Sequence, residues 1–155
     1  MDRFDKQILQ ILTRAADTSA TEIGRLVGLS VPAVNKRIRR LKEDGTIRRF
    51  SILTDPARVG RPITAYILLV FAAGREPESL PAQLADDSDV LECYAVTGEY
   101  DYLVKVAARD IEALENKLLY LKKLKGVVKS HTMLALREYK HQPTALPLGE
   151  EKGEV

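Results

Sequence analysis

Lys36, Arg37, Arg39, Arg40 and Lys42 crowd one short stretch that follows Ser30 and Pro32. Guanidinium and ammonium groups at this density suit the neutralisation of phosphate and the reading of guanine edges. That chemistry is directional only if a rigid element carries it, and the residues indicate a helix. Ser30 is a good N-cap, and Pro32 falls in the first turn, where a missing N–H has no intrahelical partner to lose. Val34, Ile38 and Leu41 recur at i, i+4, i+7 as one apolar stripe, which leaves the cations on the other faces. Upstream, Glu22 to Val27 reads as a shorter amphipathic helix, with Gly28-Leu29-Ser30 as the turn between the two. Two helices, a tight turn and one-sided positive charge are the layout of a helix-turn-helix, about residues 21–43, whose second helix enters the DNA major groove.

Ser30, Pro32, Ala33, Lys36, Arg37 and Arg40 lie on or near the exposed face of that helix. The first few are placed to meet base edges and the basic ones phosphate or guanine. Arg37, one position before Ile38, has a second option, an ion pair with an acidic group of its own domain. Arg48 and Arg49 follow Gly45 and read equally as a small wing on the DNA backbone or as a plain exposed strand. A basic run alone is also what a solvated helix face looks like; the turn in front of it tips the reading toward DNA.

The surrounding elements follow from periodicity and punctuation. Asp5 to Ala16 is a first helix, with Ile8, Ile11, Leu12 and Ala15 on one face and Asp5 or Asp2 as its cap. Thr18 or Ser19 caps the second helix, and Asp44-Gly45 ends the third. Thr46 to Thr54 reads as extended chain, a linker strand. Asp55-Pro56 and Gly60-Arg61-Pro62 are breakers. From Ile63 the rhythm changes to strand 63–73, helix 79–87 with Pro81 in its first turn, strand 90–97, the tight turn Gly98-Glu99-Tyr100, and strand 101–108. A helix capped by Asp110 then runs to Leu124, with Ile111, Leu114, Leu118 and Leu121 as its inner stripe, before a last strand, 127–139. This β-α-β-β-α-β order is ferredoxin-like. The expected fold is therefore α+β: a winged helix-turn-helix domain over 1–60, a ferredoxin-like domain over 63–141, and a loose tail over 142–155.

A sheet with helices on one face must cover the other or keep it polar. In 90–97 and 127–139 both alternating sets carry apolar groups, and an uncovered apolar sheet face marks a subunit interface, so a homodimer is expected. Charge divides the same way: residues 1–62 hold 13 Lys and Arg against 7 Asp and Glu, the remainder 11 against 15. Only the first part is expected to face phosphate. Cys93 is the only cysteine, so no intrachain disulfide or cysteine-based zinc site can form; it reads as a small buried apolar group in a reducing compartment. The N-terminus lacks the apolar segment of a secretory signal, and no run approaches the ~20 residues that span a bilayer. A cytoplasmic location and no membrane contact are expected. His131 and His141 have no partners at metal-ligand spacing, so neither a metal nor a cofactor is expected. The tyrosines Tyr94, Tyr100, Tyr102, Tyr120 and Tyr139 suit core or interface positions better than base stacking.

Over residues 2 to about 148 the chain resembles the Lrp/AsnC (feast/famine) transcription regulators. In the first half the resemblance rests on Asp5-Lys6-Gln7-Ile8-Leu9, Val27-Gly28-Leu29-Ser30, Arg37-Ile38-Arg39-Arg40-Leu41 and Gly45-Thr46-Ile47. In the second it rests on the more specific run from Glu92 to Leu103, ECYAVTGEYDYL, and on the Thr144-Ala145-Leu146-Pro147-Leu148 ending. The connection from Ala16 to Ala20 departs from it, lacking the acidic-Gly-Arg turn common there. The resemblance implies dimers that assemble further, often to octamers, and a small effector, commonly an amino acid, held between subunits of the C-terminal domains. It also implies that the effector changes assembly or DNA affinity.

On that resemblance Gly98, Tyr100 and Asp101 line the effector cleft. Gly98 presents an unobstructed backbone N–H and tolerates positive φ. An amino acid brings an ammonium for Asp101 and a carboxylate for the N–H groups near Gly98. Ser130 and Thr132 on the last strand are second-rank candidates. The plain alternative is a β-turn in which Asp101 bonds its own backbone. Two other functions stay in view. One is an architectural DNA-wrapping protein that needs no ligand. The other is an enzyme like the tetrapyrrole decarboxylases related to this family, which use histidines near the cleft where this chain has too few.

Overall fold

The computed structural model describes residues 1–72 and 80–148. Ala73 and Ser79 of the expected elements, and 149–155 of the expected tail, lie outside them. The chain forms two compact units, Met1–Leu53 with the segment from Lys140 onward, and Thr54–Tyr139.

The first unit is three helices, α1 (Arg3–Arg14), α2 (Ala20–Val27) and α3 (Val31–Glu43). Asp2, rather than Asp5, caps α1, and the two close a reciprocal capping box: each carboxylate accepts the other's backbone N–H at 3.0 Å. Ser19 caps α2, and Ser30 caps α3 with Pro32 in its first turn. Ile8, Leu12, Ile23, Val27 and Val34 form the core, with Phe4, Ile11, Leu29, Ile38 and Ile47 packed on it. Each fully buried aliphatic side chain supplies about 1.5–3 kcal/mol, so three short helices hold together only as a set. The run 46–54 forms no strand. Its apolar Phe50, Ile52 and Leu53 are exposed, because a lone extended segment has no neighbour to complete a ladder.

The second unit is β1 (Ile63–Phe71), α4 (Leu80–Ala85), β2 (Val90–Ala95), β3 (Tyr102–Ala108), α5 (Ile111–Lys123) and β4 (Val127–Leu134). The strands pair antiparallel in the order β2-β3-β1-β4. Ala65, Ile67, Leu69 and Phe71 of β1 and Val104 and Val106 of β3 bury against Leu80, Leu84, Leu114 and Leu121 of the helices. Three expectations change. β4 stops at Leu134 rather than Tyr139, since β1 begins at Ile63 and offers nothing beyond Thr64, whose carbonyl takes the last bond from Ala135 at 2.9 Å. Ile111 faces solvent rather than the core, while Leu114 and Leu121 are buried. The register shifts between Val90 and Glu92, so Val90 and Cys93 share the helix-covered side and strict alternation along β2 fails.

The opposite sheet face carries Tyr66, Leu68, Leu103, Tyr94 and Met133, with Lys105 bonded to Glu92 at 3.1 Å. No helix of the described chain is long and apolar enough to cross a membrane.

Candidate functional site

The turn into α3 is built by two glycines. Gly28 adopts φ +74, which favours glycine, and lets the chain leave α2. The Leu29 N–H then donates to the Gly24 carbonyl at 2.9 Å. The fold-back sets the Leu29 carbonyl over Gly24 so closely that a Cβ there would lie 2.5 Å from its oxygen. α2 and the turn that follows it therefore approach to a distance only glycine permits. Gly24 was not singled out from the sequence; the signal was a glycine inside a short helix, where it costs about 1 kcal/mol unless packing requires it.

The basic residues of α3 divide into two groups. Arg37 donates through Nη1 to Asp2 Oδ2 at 2.6 Å and Asp5 Oδ1 at 2.8 Å. Arg40 donates through Nη2 to Asp5 Oδ2 at 2.5 Å. Asp5 is fully buried, and a buried carboxylate persists as a charge only when paired this way. Backbone donation from Asp5, then the Arg37 guanidinium, lowers the Asp2 carboxyl to about 2; the same carboxylates raise the Arg37 pKa. Arg37 thus ties α3 to the N-terminus of α1, the second of the two options its position allowed. Arg40 shares that tie while remaining more than half exposed.

Lys36 and Arg39 are exposed. With Pro32 they fall at i, i+4, i+7 on the side opposite Val34, Ile38 and Leu41. Ser30 is exposed and its hydroxyl caps Ala33, which is half-buried. Arg48 is exposed in the segment after Gly45. Arg39 belongs to the outer face as fully as Lys36, and its spacing from Pro32 and Lys36 is the sequence signal for that place.

The turn after β2 is equally well defined. Gly98 sits at φ +115, a conformation that favours glycine. Asp101 Oδ2 accepts the Phe71 N–H at 2.7 Å, and the Asp101 N–H donates to the Leu69 carbonyl at 2.9 Å. Its carbonyl accepts the Val96 N–H at 2.9 Å. Asp101 therefore pins the turn to the end of β1, its carboxylate meeting a backbone N–H 30 residues away rather than its own backbone. Tyr100 lies over the open sheet face, its ring 6.2 Å from that of His131 and 5.5 Å from Lys129 Nζ. Ser130 and Thr132 do not join it. They pair with Leu69 and Ile67 and so project to the helix-covered side. The strand's period of two puts Lys129 and His131, not the hydroxyls, beside Tyr100.

A helix-turn-helix with a free cationic face, carried on a chain with a separate ferredoxin-like unit, defines a DNA-binding transcriptional regulator. The family comparisons agree on both parts. Residues 1–48 match a winged helix-turn-helix DNA-binding model, and residues 64–145 match the Lrp/AsnC ligand binding domain. The chain belongs to the Lrp/AsnC family of transcriptional regulators. It is 34% identical over 148 residues to the HTH-type transcriptional regulator FL11 of Pyrococcus horikoshii, covering 96% of this chain and 97% of that one. Among solved structures it superposes on the transcriptional regulator NMB0573 of Neisseria meningitidis in complex with L-Met. The TM-score there is 0.87 at 28% identity, over 94% of this chain and 96% of the other. The feast or famine regulatory protein of M. tuberculosis, complexed with L-methionine, also gives 0.87, at 27% identity over 94% and 99% of the two chains.

Proposed function

We propose that α3 enters the major groove with Ser30, Pro32 and Ala33 toward base edges, while Lys36 and Arg39 on its outer face, flanked by Arg40 and Arg48, meet phosphate. The observation that carries this is the division of labour on α3: Asp2 and Asp5 hold Arg37 inward, Arg40 is tied to Asp5 with more than half of its side chain still exposed, and Lys36 and Arg39 project outward opposite the buried stripe. In this reading 1–60 is the DNA-binding domain, 63–141 senses the effector and assembles, and 142–155 is a tail.

The effector is a free amino acid received at the Gly98–Asp101 turn. Its carboxylate meets backbone N–H groups near Gly98 and its ammonium the negative charge of Asp101, with Tyr100 beside it. The L-methionine complexes of two relatives support that class of ligand. Ser130 and Thr132 act here by packing under the sheet. The open sheet face with Tyr66, Leu68 and Leu103 pairs with a second copy, and such dimers assemble further, to an octamer. The protein works in the cytoplasm by binding rather than by catalysis.

Calorimetry with each proteinogenic L-amino acid tests the effector reading, with Gly98→Val as the control. Gly98→Val forces a branched side chain into positive φ and abolishes binding. Failure of every amino acid to bind, or full binding by the variant, overturns it.

A further inference from the structure

The connection between the two units is not a uniform tether. Residues 55–61 close a turn of their own. The N–H groups of Arg58 and Val59 donate to the Asp55 carbonyl at 3.1 and 3.2 Å, and that of Arg61 to the Pro56 carbonyl at 2.8 Å. The Asp55 carboxylate accepts the Ala57 N–H at 2.9 Å, and Gly60 at φ +76 ends the turn as in a helix C-cap.

Arg61 follows at once and is held to the second unit. Its Nη1 meets Asp89 Oδ1 and donates to the Ala107 carbonyl at 3.2 Å; its Nη2 reaches Ser88 Oγ at 3.4 Å. Asp89 also takes Lys117 Nζ of α5 at 3.1 Å, and Lys117 grips Asp87 at 2.6 Å. The Lys117 and Asp87 side chains are each only 15% exposed. The Arg61 guanidinium, and after it Lys117, hold the Asp89 carboxyl below the usual range against its desolvation. The cluster thus joins the linker, the start of β2, β3 and α5. Pro62, with its restricted φ, leads directly into β1.

Upstream the backbone contrasts with this, although Lys42 Nζ of α3 lies 4.9 Å from the Phe50 ring centre. Among the described residues, 48–54 make no backbone–backbone hydrogen bond. The breakers at Gly60-Arg61-Pro62 mark a linker in the sequence, yet Arg61 among them is bonded to Asp89, Ser88 and the Ala107 carbonyl of β3.

We infer that the pivot between the units is 48–54, and that Arg61, clamped by Asp89, is a positioning residue that makes the 55–61 turn a rigid lever on the effector unit. β2 begins beside Asp89 and runs toward the Gly98 turn. A displacement of that turn therefore reaches the lever through one strand. This coupling role rests on the effector reading above; the clamp itself does not.

Limited trypsin digestion of the full chain tests the clamp. Wild-type protein is cut first after Arg48 and Arg49, while Arg58 is protected. Asp89→Asn and Arg61→Met each open the turn and bring cleavage after Arg58 to a comparable rate. Equal early cutting at Arg58 in the wild type, or unchanged protection in both variants, overturns the inference. For the coupling role, DNA affinity is measured with and without each proteinogenic L-amino acid. Couplings of this kind are about 5- to 150-fold. In Asp89→Asn the shift falls toward unity, while DNA affinity without amino acid and calorimetric amino acid affinity hold within about twofold. A full shift in the variant overturns the coupling role. A wild type that responds to no amino acid removes the effector reading, and the cleavage map still judges the clamp.

Discussion

Replacing Asp5 by Asn separates the two kinds of arginine on α3. The carboxylate accepts Arg37 Nη1 at 2.8 Å, Arg40 Nη2 at 2.5 Å and the Asp2 N–H at 3.0 Å, with no solvent exposure. Removing one partner of a buried ion pair costs about 3–5 kcal/mol. Two features of the cluster reduce that figure. Arg37 keeps Asp2 at 2.6 Å, and Arg40 is 56% exposed, so its freed charge meets water. The asparagine oxygen also still accepts one donor. A loss of about 2–3 kcal/mol follows for the three-helix unit, which at this size lowers its melting point by roughly 10–20 °C. The loss is read from helical circular dichroism during thermal unfolding. DNA binding by the surviving folded fraction should keep its salt dependence, because Lys36 and Arg39 are untouched and Arg40 is released rather than removed. An unchanged melting point refutes the buried-cluster reasoning. A flattened salt slope with unchanged stability refutes the division of roles.

Three further outcomes follow from the same geometry. Gly24→Ala gains about 1 kcal/mol of helix propensity and meets the Leu29 carbonyl at 2.5 Å, so overpacking of about 1–3 kcal/mol dominates; calorimetric melting falls, and a rise would deny the close approach. Asp2 has its carboxyl lowered from 3.8 to about 2. Because the folded-state value is depressed, the stability it confers is complete above 3.8 and is lost as pH falls through about 2. Urea unfolding at graded acidity should show that loss, and Asp2→Asn should remove it. Leu68→Glu puts charge in the middle of the open sheet face, and sedimentation should then show monomer where the wild type shows dimer; a persistent dimer places the interface elsewhere.

The parts of the fold set by local chemistry were readable in the sequence. The Ser19, Ser30 and Asp110 caps, the Gly45 stop and the Val34–Ile38–Leu41 stripe each depend on residues a turn apart. So did the strand order's outline, through the change from a period near four to a period of two. What escaped depends on distant residues. The partner of Arg37 lies at the far end of the unit in α1, and only folding brings Asp2 and Asp5 to it. Ser130 and Thr132 looked accessible because alternation says which residues share a face, not which face is covered; pairing with Ile67 and Leu69 decides that. The bulge in β2 is likewise invisible to a period-two reading, and the Arg61–Asp89 contact joins residues 28 apart in sequence.

The most direct test of the account is the salt dependence of binding to duplex genomic fragments, measured for the wild type and for the Lys36→Met/Arg39→Met double variant. The two outward cations are predicted to account for about two units of the log–log slope, lost in the variant, whose melting point stays put. A slope that does not change, or a wild type that binds no duplex even at low salt, contradicts it.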